Sequence, residues 1–202
     1  MFTPWVGPKF GDKDNAIGGF RLLVVGESHH ADGPGYEIGT LHPDFTVGVV
    51  EAYQSDPWQR WMKTFDNIAA AVGGRSKSEA GREGMNAVWD SIAFYNYIPV
   101  IAATAARKEL PTQEMFIAGV EPFRRAVATV KPDAIVVAGY RLWDEIVYRH
   151  ADSEHHRPVD ASNPFVPLAD VGGLLALRMI HPSTAFSPSR WHPLIQRLRE
   201  MR

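Results

Sequence analysis

The sequence contains no cysteine, which excludes a disulfide framework, a cysteine-ligated zinc or iron–sulfur site and a cysteine nucleophile. This absence fits a reducing compartment. A strong net charge is absent too, because 21 Lys and Arg stand against 23 Asp and Glu, for a formal net charge of −2. A nearly neutral chain is not expected to coat nucleic acid with a uniformly basic surface. Any contact with nucleic acid therefore has to come from a local basic face.

Long hydrophobic runs are also missing. No window approaches the roughly 18 apolar residues of a membrane span, and the first residues lack the basic segment and apolar run of a signal peptide. We therefore expect a cytoplasmic protein without membrane contact. A chain of 202 residues, of which 45% are hydrophobic, is long enough to bury a core. Because no repeat or second domain is apparent, we expect a single domain over residues 1–202.

Four short apolar runs, each followed by glycine or polar residues, predict strands buried on both faces of a parallel sheet. They are residues 21–27 (RLLVVGE), 92–97 (IAFYNY), 134–139 (AIVVAG) and 175–180 (LALRMI). The predicted helices are residues 57–72, 84–90, 112–130, 140–150 and 188–201, and the predicted loops are residues 73–84 and 151–173. This alternation favours an α/β fold, a three-layer α/β/α domain with a central, mainly parallel four-stranded sheet.

Polar residues concentrate where three of these strands end. The first strand runs into Gly-Glu-Ser-His-His (residues 26–30), the second ends in Asn96-Tyr97, and the last is followed by His-Pro-Ser (residues 181–183). Ligands of open parallel sheets bind beyond the carboxyl ends of the strands. We therefore predict the functional site at this edge of the sheet.

Together with KPDAIVVAG (residues 131–139), these motifs resemble the uracil-DNA glycosylase superfamily over residues 21–202. His-Pro-Ser is the most specific of them, and Tyr95-Asn96-Tyr97 followed by Pro99 is most similar to the single-strand-selective monofunctional branch. The absence of cysteine separates the chain from the branches that carry an iron–sulfur cluster. The resemblance implies a monomeric enzyme without cofactor or metal, which hydrolyses the N-glycosidic bond of uracil or another deaminated base in DNA.

The resemblance also assigns roles to individual residues. Asn96 would read the edge of a flipped-out base, for which an amide offers both a donor and an acceptor. His181 would stabilise the negative charge that develops on the departing base. Phe45 and Tyr36 both lie where the family keeps its stacking ring, and Tyr36 is preferred. The further residues expected to bind the base are His29 and Phe94.

The first motif departs from the best-known pattern of the superfamily. Ser28 stands where many members have an aspartate that positions or activates water. We therefore predict that Glu27, together with Ser28, takes part in catalysis. Contacts to DNA phosphates are assigned to Pro182, Ser183 and Arg190. Three further arginines of the last predicted helix would add a local positive field: Arg197, Arg199 and Arg202.

Two alternatives remain open. The altered first motif is compatible with a catalytically degenerate protein of the same fold that binds nucleic acid or a free base. A metal-dependent hydrolase is the other alternative, because imidazole and carboxylate groups are common metal ligands. Its ligands would come from His29, His30, Asp32 and residues 155–156. Adjacent histidines in an extended strand point to opposite faces, however, which disfavours a shared metal.

Overall fold

The chain folds around a central β-sheet. A computed structural model describes residues 1–31, 35–104, 110–155 and 164–202. In chain order, the strands are β1 (Trp5–Val6), β2 (Leu22–Gly26), β3 (His29–His30), β4 (Ala93–Asn96), β5 (Ile101–Ala103), β6 (Ala134–Ala138), β7 (Phe165–Leu168) and β8 (Leu174–Met179). Six of them form the central sheet in the spatial order β1-β4-β2-β6-β8-β7, and β3 pairs with β5 in a second, smaller sheet.

Five α-helices of the described residues lie between these strands in the chain, and a sixth follows β8. They are α1 (Phe45–Ser55), α2 (Lys63–Gly73), α3 (Lys77–Trp89), α4 (Gln113–Val130), α5 (Tyr140–His150) and α6 (Pro188–Glu200). The predictions of helices over residues 112–130, 140–150 and 188–201 are confirmed, with ends that differ by one residue at most. Within the described ranges, no helix is both long and apolar enough to cross a membrane.

The prediction of a mainly parallel sheet is confirmed, but the prediction that it has four strands is wrong. β2, β4, β6 and β8 pair in parallel. β1 adds to β4 and β7 adds to β8, both antiparallel. These edge strands have a weak signal in the sequence. β1 has only two residues, and β7 contains Pro167, which cannot donate a hydrogen bond to a neighbouring strand.

Side chains of the central strands alternate between two buried clusters. In β2, Leu22 and Val24 belong to one cluster, whereas Leu23 and Val25 belong to the other. The first cluster includes residues of α1, α2, α3 and α6, and the second includes residues of α4 and α5. Every residue of β2 and of β6 is buried. Both faces of these strands are therefore covered, as central parallel strands require.

The loop predicted over residues 73–84 is wrong from residue 77 onward, because α3 begins there. Ser76 and Glu79 form a capping box, in which the Ser76 N–H donates to Glu79 Oε2 over 2.7 Å. This arrangement satisfies backbone groups at the start of the helix. Gly81 interrupts α3 with a φ of 66°, a backbone conformation that favours glycine. The loop predicted over residues 151–173 likewise contains β7.

The small sheet contains the end of the first motif, His29 and His30, which follow β2 in the chain. In it His29 of β3 is the register partner of Ile101 of β5. The strands β2 and β4 also continue their pairing past their ends, because Tyr97 N–H donates to Gly26 O and Ile98 N–H donates to Glu27 O, each over 2.9 Å. These backbone bonds hold the first motif against the end of β4.

Candidate functional site

The carboxyl ends of β4, β2, β6 and β8 lie side by side. Asn96 is the register partner of Gly26, and Gly139 N–H donates to Met179 O over 2.8 Å. Since neighbouring strands are about 4.8 Å apart, the Cα atoms of Asn96 and Met179 are separated by roughly 14 Å. His181 follows Met179 by two residues. The three polar motifs of the sequence therefore lie along one edge of the sheet, as predicted.

Asn96 is buried at this edge, with 5% of its surface exposed. Its side-chain carbonyl oxygen lies above Gly26, and a Cβ atom added to that glycine would be only 2.1 Å from Asn96 Oδ1. The same Cβ would lie 3.2 Å from Cζ of Phe94. The absence of a side chain at position 26 is thus what allows the Asn96 amide to occupy this place.

His29 fixes the orientation of the Asn96 amide. Asn96 Nδ2 lies 3.0 Å from His29 Nδ1 and 3.1 Å from His29 Nε2, and His29 Nε2 lies 2.8 Å from Thr46 Oγ1. Burial, with a smaller contribution from neighbouring His30, lowers the pKa of His29 to about 3. The ring is therefore neutral near pH 7. Asn96 Nδ2, almost equally far from both ring nitrogens, donates to the imidazole, and Thr46 Oγ1 bonds His29 Nε2 as acceptor or donor according to the tautomer.

Aromatic rings continue from His29 towards the surface. Phe2 and Phe45 each meet the imidazole edge-on, with ring centroids 4.8 and 4.7 Å away. Tyr36, which is half-buried, packs edge-on against Phe45 at 5.4 Å. Of the two predicted stacking rings, Phe45 is therefore the one in contact with His29, and Tyr36 lies one ring further out.

A cleft of about 620 Å³ opens on the outer side of this series of rings. We call it the aromatic cleft. Its walls are Tyr36, His42, Pro43, Asp44, Phe45, Gly48, Val49, Ala52 and Trp61. Of the described residues, neither Asn96 nor His181 lines it. The aromatic cleft is thus adjacent to the strand-end site, since Phe45 lines the cleft and contacts His29, but it contains neither Asn96 nor His181.

Glu27 forms an ion pair with Arg141, the second residue of α5. Arg141 Nε donates to one carboxylate oxygen over 2.8 Å, and Arg141 Nη2 donates to the other. The hydrogen bond to Glu27 is the main cause that raises the pKa of Arg141. Ser28, the other predicted catalytic residue of this motif, is half-buried between Glu27 and His29. The Glu27 carboxylate is therefore held in place by a cation.

The loop after β8 holds His181 in one tautomer. Ser183 N–H donates to His181 Nδ1 over 3.2 Å, and Ser183 Oγ lies 2.8 Å from the same nitrogen. A ring nitrogen that accepts from an amide carries no proton, so the proton of the neutral ring is on Nε2. Asn67 of α2 anchors the loop, since its Nδ2 donates to Pro182 O over 2.7 Å. His181 also borders Gly139, where an added Cβ would lie 3.8 Å from its Cδ2.

The residues predicted to contact phosphate are divided between this loop and α6. Ser183 is exposed and Pro182 is buried, while Arg190 is exposed with its guanidinium 5.5 Å from the centre of the Trp191 ring. The far end of α6 lies elsewhere. Arg202 forms an ion pair with Asp133, which precedes β6 and thus lies at the opposite edge of the sheet. Arg202 therefore adds no positive field at the site, and Arg190 at the beginning of α6 is the predicted arginine that follows the His-Pro-Ser loop most closely in the chain.

A polar network that runs from the core to the surface lies behind Asn96. Tyr97 Oη is 3.0 Å from His150 Nε2, and His150 Nδ1 is 2.6 Å from Asp170 Oδ2. Arg124 completes the network with two hydrogen bonds to the Asp170 carboxylate, of 2.7 and 2.8 Å. Burial is the main cause that lowers the pKa of His150, while hydrogen bonding to Arg124 lowers that of Asp170. A neutral imidazole thus donates to Asp170 and accepts from Tyr97.

The proposed metal ligands are not brought together in the part of the chain that the structure describes. No group of three His, Cys, Asp or Glu side chains there is placed to hold a metal ion. His29 is buried against Asn96 and Thr46, whereas His30, its neighbour, is exposed. Asp32, His156 and the side chain of His155 lie outside the described residues.

Three partners of the site residues are not predicted by the sequence: Thr46, Asn67 and Arg141. Only Arg141 follows a predicted strand closely enough for the strand-end rule to place it here. No protein-family model matches the chain, and none of the curated proteins is a significant match. The resemblance to uracil-DNA glycosylases therefore remains a prediction from the residues themselves.

Proposed function

We propose that this protein hydrolyses the N-glycosidic bond of uracil or another deaminated base in DNA, acting as a monomer in which helices and sheet form three layers. One observation carries the proposal. Two strands separate the buried Asn96 amide from His181: β2, which ends at Gly26, and β6, which is followed by Gly139. The Asn96 amide occupies the space above Gly26, whereas a Cβ added at Gly139 would meet nothing closer than His181 Cδ2 at 3.8 Å. In the proposal, a flat ring therefore lies over Gly139, between these two polar groups.

Asn96 is suited to read the base edge because its amide is already oriented. One Nδ2 hydrogen is donated to His29, which leaves the second hydrogen and the lone pairs of Oδ1 for a ligand. Uracil offers a carbonyl acceptor next to an N–H donor, the complement of an amide. An amide held in a buried, neutral surrounding loses little conformational entropy when it binds.

His181 is suited to stabilise the leaving group. Cleavage of the bond between C1′ and the base nitrogen leaves the bonding electron pair on the base and positive character on the sugar. In the proposal, the Nε2 proton of His181, placed there by the contacts of Nδ1 with Ser183, is the donor to the base oxygen that gains negative charge. A donor held in advance at this position lowers the barrier electrostatically.

Water supplies the hydroxyl group that becomes bonded to C1′. In the proposal, Glu27 accepts a hydrogen bond from this water and its charge favours the positive sugar, while Ser28 contributes the neighbouring hydroxyl. The proton lost by water passes through the carboxylate or solvent to the base anion, so the products are a free base and an abasic sugar. Arg141 keeps the carboxylate in one position throughout.

The pairing of Glu27 favours a second candidate function, a protein of this kind that binds a base or nucleic acid without cleaving it. Both oxygens of the Glu27 carboxylate receive a hydrogen bond from Arg141. These two bonds use acceptor positions of the carboxylate that would otherwise be open to the attacking water. The two candidates share the base-reading residue Asn96 and differ in the fate of the glycosidic bond.

An oligonucleotide cleavage assay tests the proposal. Single- and double-stranded oligonucleotides that carry one uracil, hypoxanthine or xanthine, or a thymine mismatch, are incubated with the protein and then treated with alkali, which cuts abasic sites. We expect cleavage of at least one substrate, and its loss by roughly 100-fold or more in His181→Ala. The exposed imidazole of His30 provides a matched control in His30→Ala, which should cleave normally.

Retention of an oligonucleotide without any alkali-labile product would support the second candidate instead. Full cleavage by a folded His181→Ala variant would disprove the role of His181.

A further inference from the structure

An exposed aromatic segment lies between α1 and α2. Trp58 and Trp61 have 53% and 38% of their surfaces exposed, and the cations Arg60 and Lys63, also exposed, alternate with them. We call these four residues the tryptophan ridge. Large exposed rings interleaved with cations are typical of surfaces that bind single-stranded nucleic acid.

Both indole rings of the tryptophan ridge are held in place by hydrogen bonds from their Nε1 atoms. Trp58 Nε1 donates to Asp66 Oδ2 over 3.1 Å, and Trp61 Nε1 donates to Gln59 Oε1 over 3.0 Å. Trp61 also packs edge-on against buried Phe65, with ring centroids 5.4 Å apart. With their polar atoms satisfied and their orientation fixed, these rings offer flat faces at a low entropic cost of binding.

The charges of the tryptophan ridge are not balanced by acidic partners. Within the described ranges, neither Arg60 nor Lys63 forms an ion pair. Lys77, the next cation, lies 5.7 Å from the centre of the Trp58 ring but is paired with Asp66 over 2.9 Å. Arg60 and Lys63 are therefore available to a phosphate backbone that passes over the two rings.

The tryptophan ridge is connected to the strand-end site in two ways. Trp61 forms part of the wall of the aromatic cleft, together with Tyr36 and Phe45. Asn67, one turn after Lys63 in α2, anchors the His-Pro-Ser loop through Pro182 O. A strand that lies on the ridge thus enters the aromatic cleft next to the ring that packs on His29.

We propose that the tryptophan ridge and the aromatic cleft bind an unpaired DNA strand, with bases stacked on Trp58, Trp61 and Tyr36 and phosphates on Arg60 and Lys63. Asp44, the carboxylate among the described residues of the cleft wall, accepts N–H groups of a base edge. The proposal rests on the proposed function for the choice of DNA, and it adds a binding surface outside the strand-end site. Duplex DNA hides its base faces and cannot bind in this way.

Fluorescence anisotropy with a labelled oligothymidylate of about 12 nucleotides tests the proposal. We expect Trp61→Ala and Trp58→Ala each to weaken binding roughly tenfold, because each removes the ring on which a base stacks, and Trp61→Phe to restore most of the affinity. Arg60→Gln and Lys63→Gln should each reduce the slope of log affinity against log salt by roughly 0.7. Tyr148→Ala, which removes an exposed ring of α5, is the control and should bind normally.

Oligothymidylate contains no deaminated base, so this test is separate from the cleavage assay. If binding depends on Trp61 but the protein cleaves no substrate, the tryptophan ridge is supported as a binding surface and the proposed activity is disproved. If the protein cleaves uracil-containing single strands but Trp58→Ala and Trp61→Ala bind with unchanged affinity, the binding role of the tryptophan ridge is disproved and the proposed activity is not.

Three other outcomes would overturn the proposal. A duplex of the same length that binds as tightly as the single strand would show that base faces are not recognised. Tighter binding of oligouridylate RNA would assign the ridge to RNA and detach it from the proposed function. A dimer in sedimentation velocity that Trp61→Ala dissociates would show that a second copy of the chain covers this surface.

Discussion

The amide nitrogen of Asn96 lies 3.0 Å from Nδ1 of His29, although the two residues are 67 positions apart in the chain. The contact depends on two further features: a hydrogen bond between the Thr46 hydroxyl and Nε2 of His29, and the missing side chain of Gly26. Together they determine which way the Asn96 amide faces. In the proposed function, a base therefore meets a donor and an acceptor whose positions are set before it binds.

We expect Asn96→Asp to change both recognition and the neighbouring imidazole. A carboxylate cannot donate to the uracil carbonyl, so cleavage of uracil should fall by roughly 100-fold or more, while cytosine, which presents an amino group, should gain relative to uracil. The new negative charge should also raise the pKa of His29, which burial lowers to about 3 in the native protein. The oligonucleotide assay and NMR titration of His29 measure the two effects. An unchanged base preference would show that Asn96 does not recognise the base.

The strands that carry the site are predictable from the sequence because they are buried on both faces. Continuous apolar runs such as residues 22–25 have no other common explanation in a chain of this kind. The helix α1 is not predictable in the same way, since Val47, Gly48 and Val49 have low helix propensity. Its helical state depends on packing of Val50 and Tyr53 in the core, which is a tertiary effect.

For the site, the sequence predicts which residues lie at the strand ends but not how they pair. Glu27 meets Arg141, 114 positions away, and Pro182 meets Asn67 across 115. Neither contact has a local pattern. Ser28 stands where many members of the superfamily have an aspartate, and two histidines follow it. The role of the first of these histidines is apparent only from the contacts of His29 with Asn96 and Thr46.

Gly26→Ala should damage the site directly. The added Cβ would lie 2.1 Å from Asn96 Oδ1, so the amide has to leave its position, at a cost of about 1–3 kcal/mol. We expect lower stability in urea denaturation together with loss of base recognition. Gly48→Ala in α1 is the matched control, because nothing lies within 4 Å of its added Cβ and helix propensity predicts a gain of up to about 1 kcal/mol. Equal stability of the two variants would contradict the assigned role of Gly26.

Acidification should destabilise the fold through His29. Its pKa is about 3 in the folded protein against 6.5 in the unfolded chain, so the unfolded state binds more protons between these values. The stabilising contribution is present above pH 6.5 and is lost as the pH falls towards 3. The expected loss is about 2 kcal/mol between pH 6.5 and pH 5, since one pH unit corresponds to about 1.4 kcal/mol.

Urea denaturation at several pH values measures this loss, with His29→Gln as the comparison. The variant is expected to be less stable at pH 7.5 but to lose less stability on acidification. His150, whose pKa burial also lowers, adds a dependence of the same sign to both proteins. The difference between the two curves therefore isolates His29, and parallel curves would show that its protonation is not linked to unfolding.

Two neighbouring tyrosines provide a matched test of the hydrogen-bond network behind the site. Tyr97 and Tyr95 are both fully buried, and burial raises the pKa of each phenol, so both are neutral. Tyr97 donates to His150 Nε2, whereas Tyr95 Oη has no hydrogen-bond partner among the described residues.

We expect Tyr97→Phe to cost about 1–3 kcal/mol in urea denaturation, because it leaves a buried imidazole nitrogen unsatisfied. Tyr95→Phe should leave the free energy of unfolding unchanged or raise it slightly, since it removes a buried hydroxyl that makes no hydrogen bond with the described residues. Equal costs for the two substitutions would mean that the hydrogen bond to His150 contributes nothing to the stability of the network.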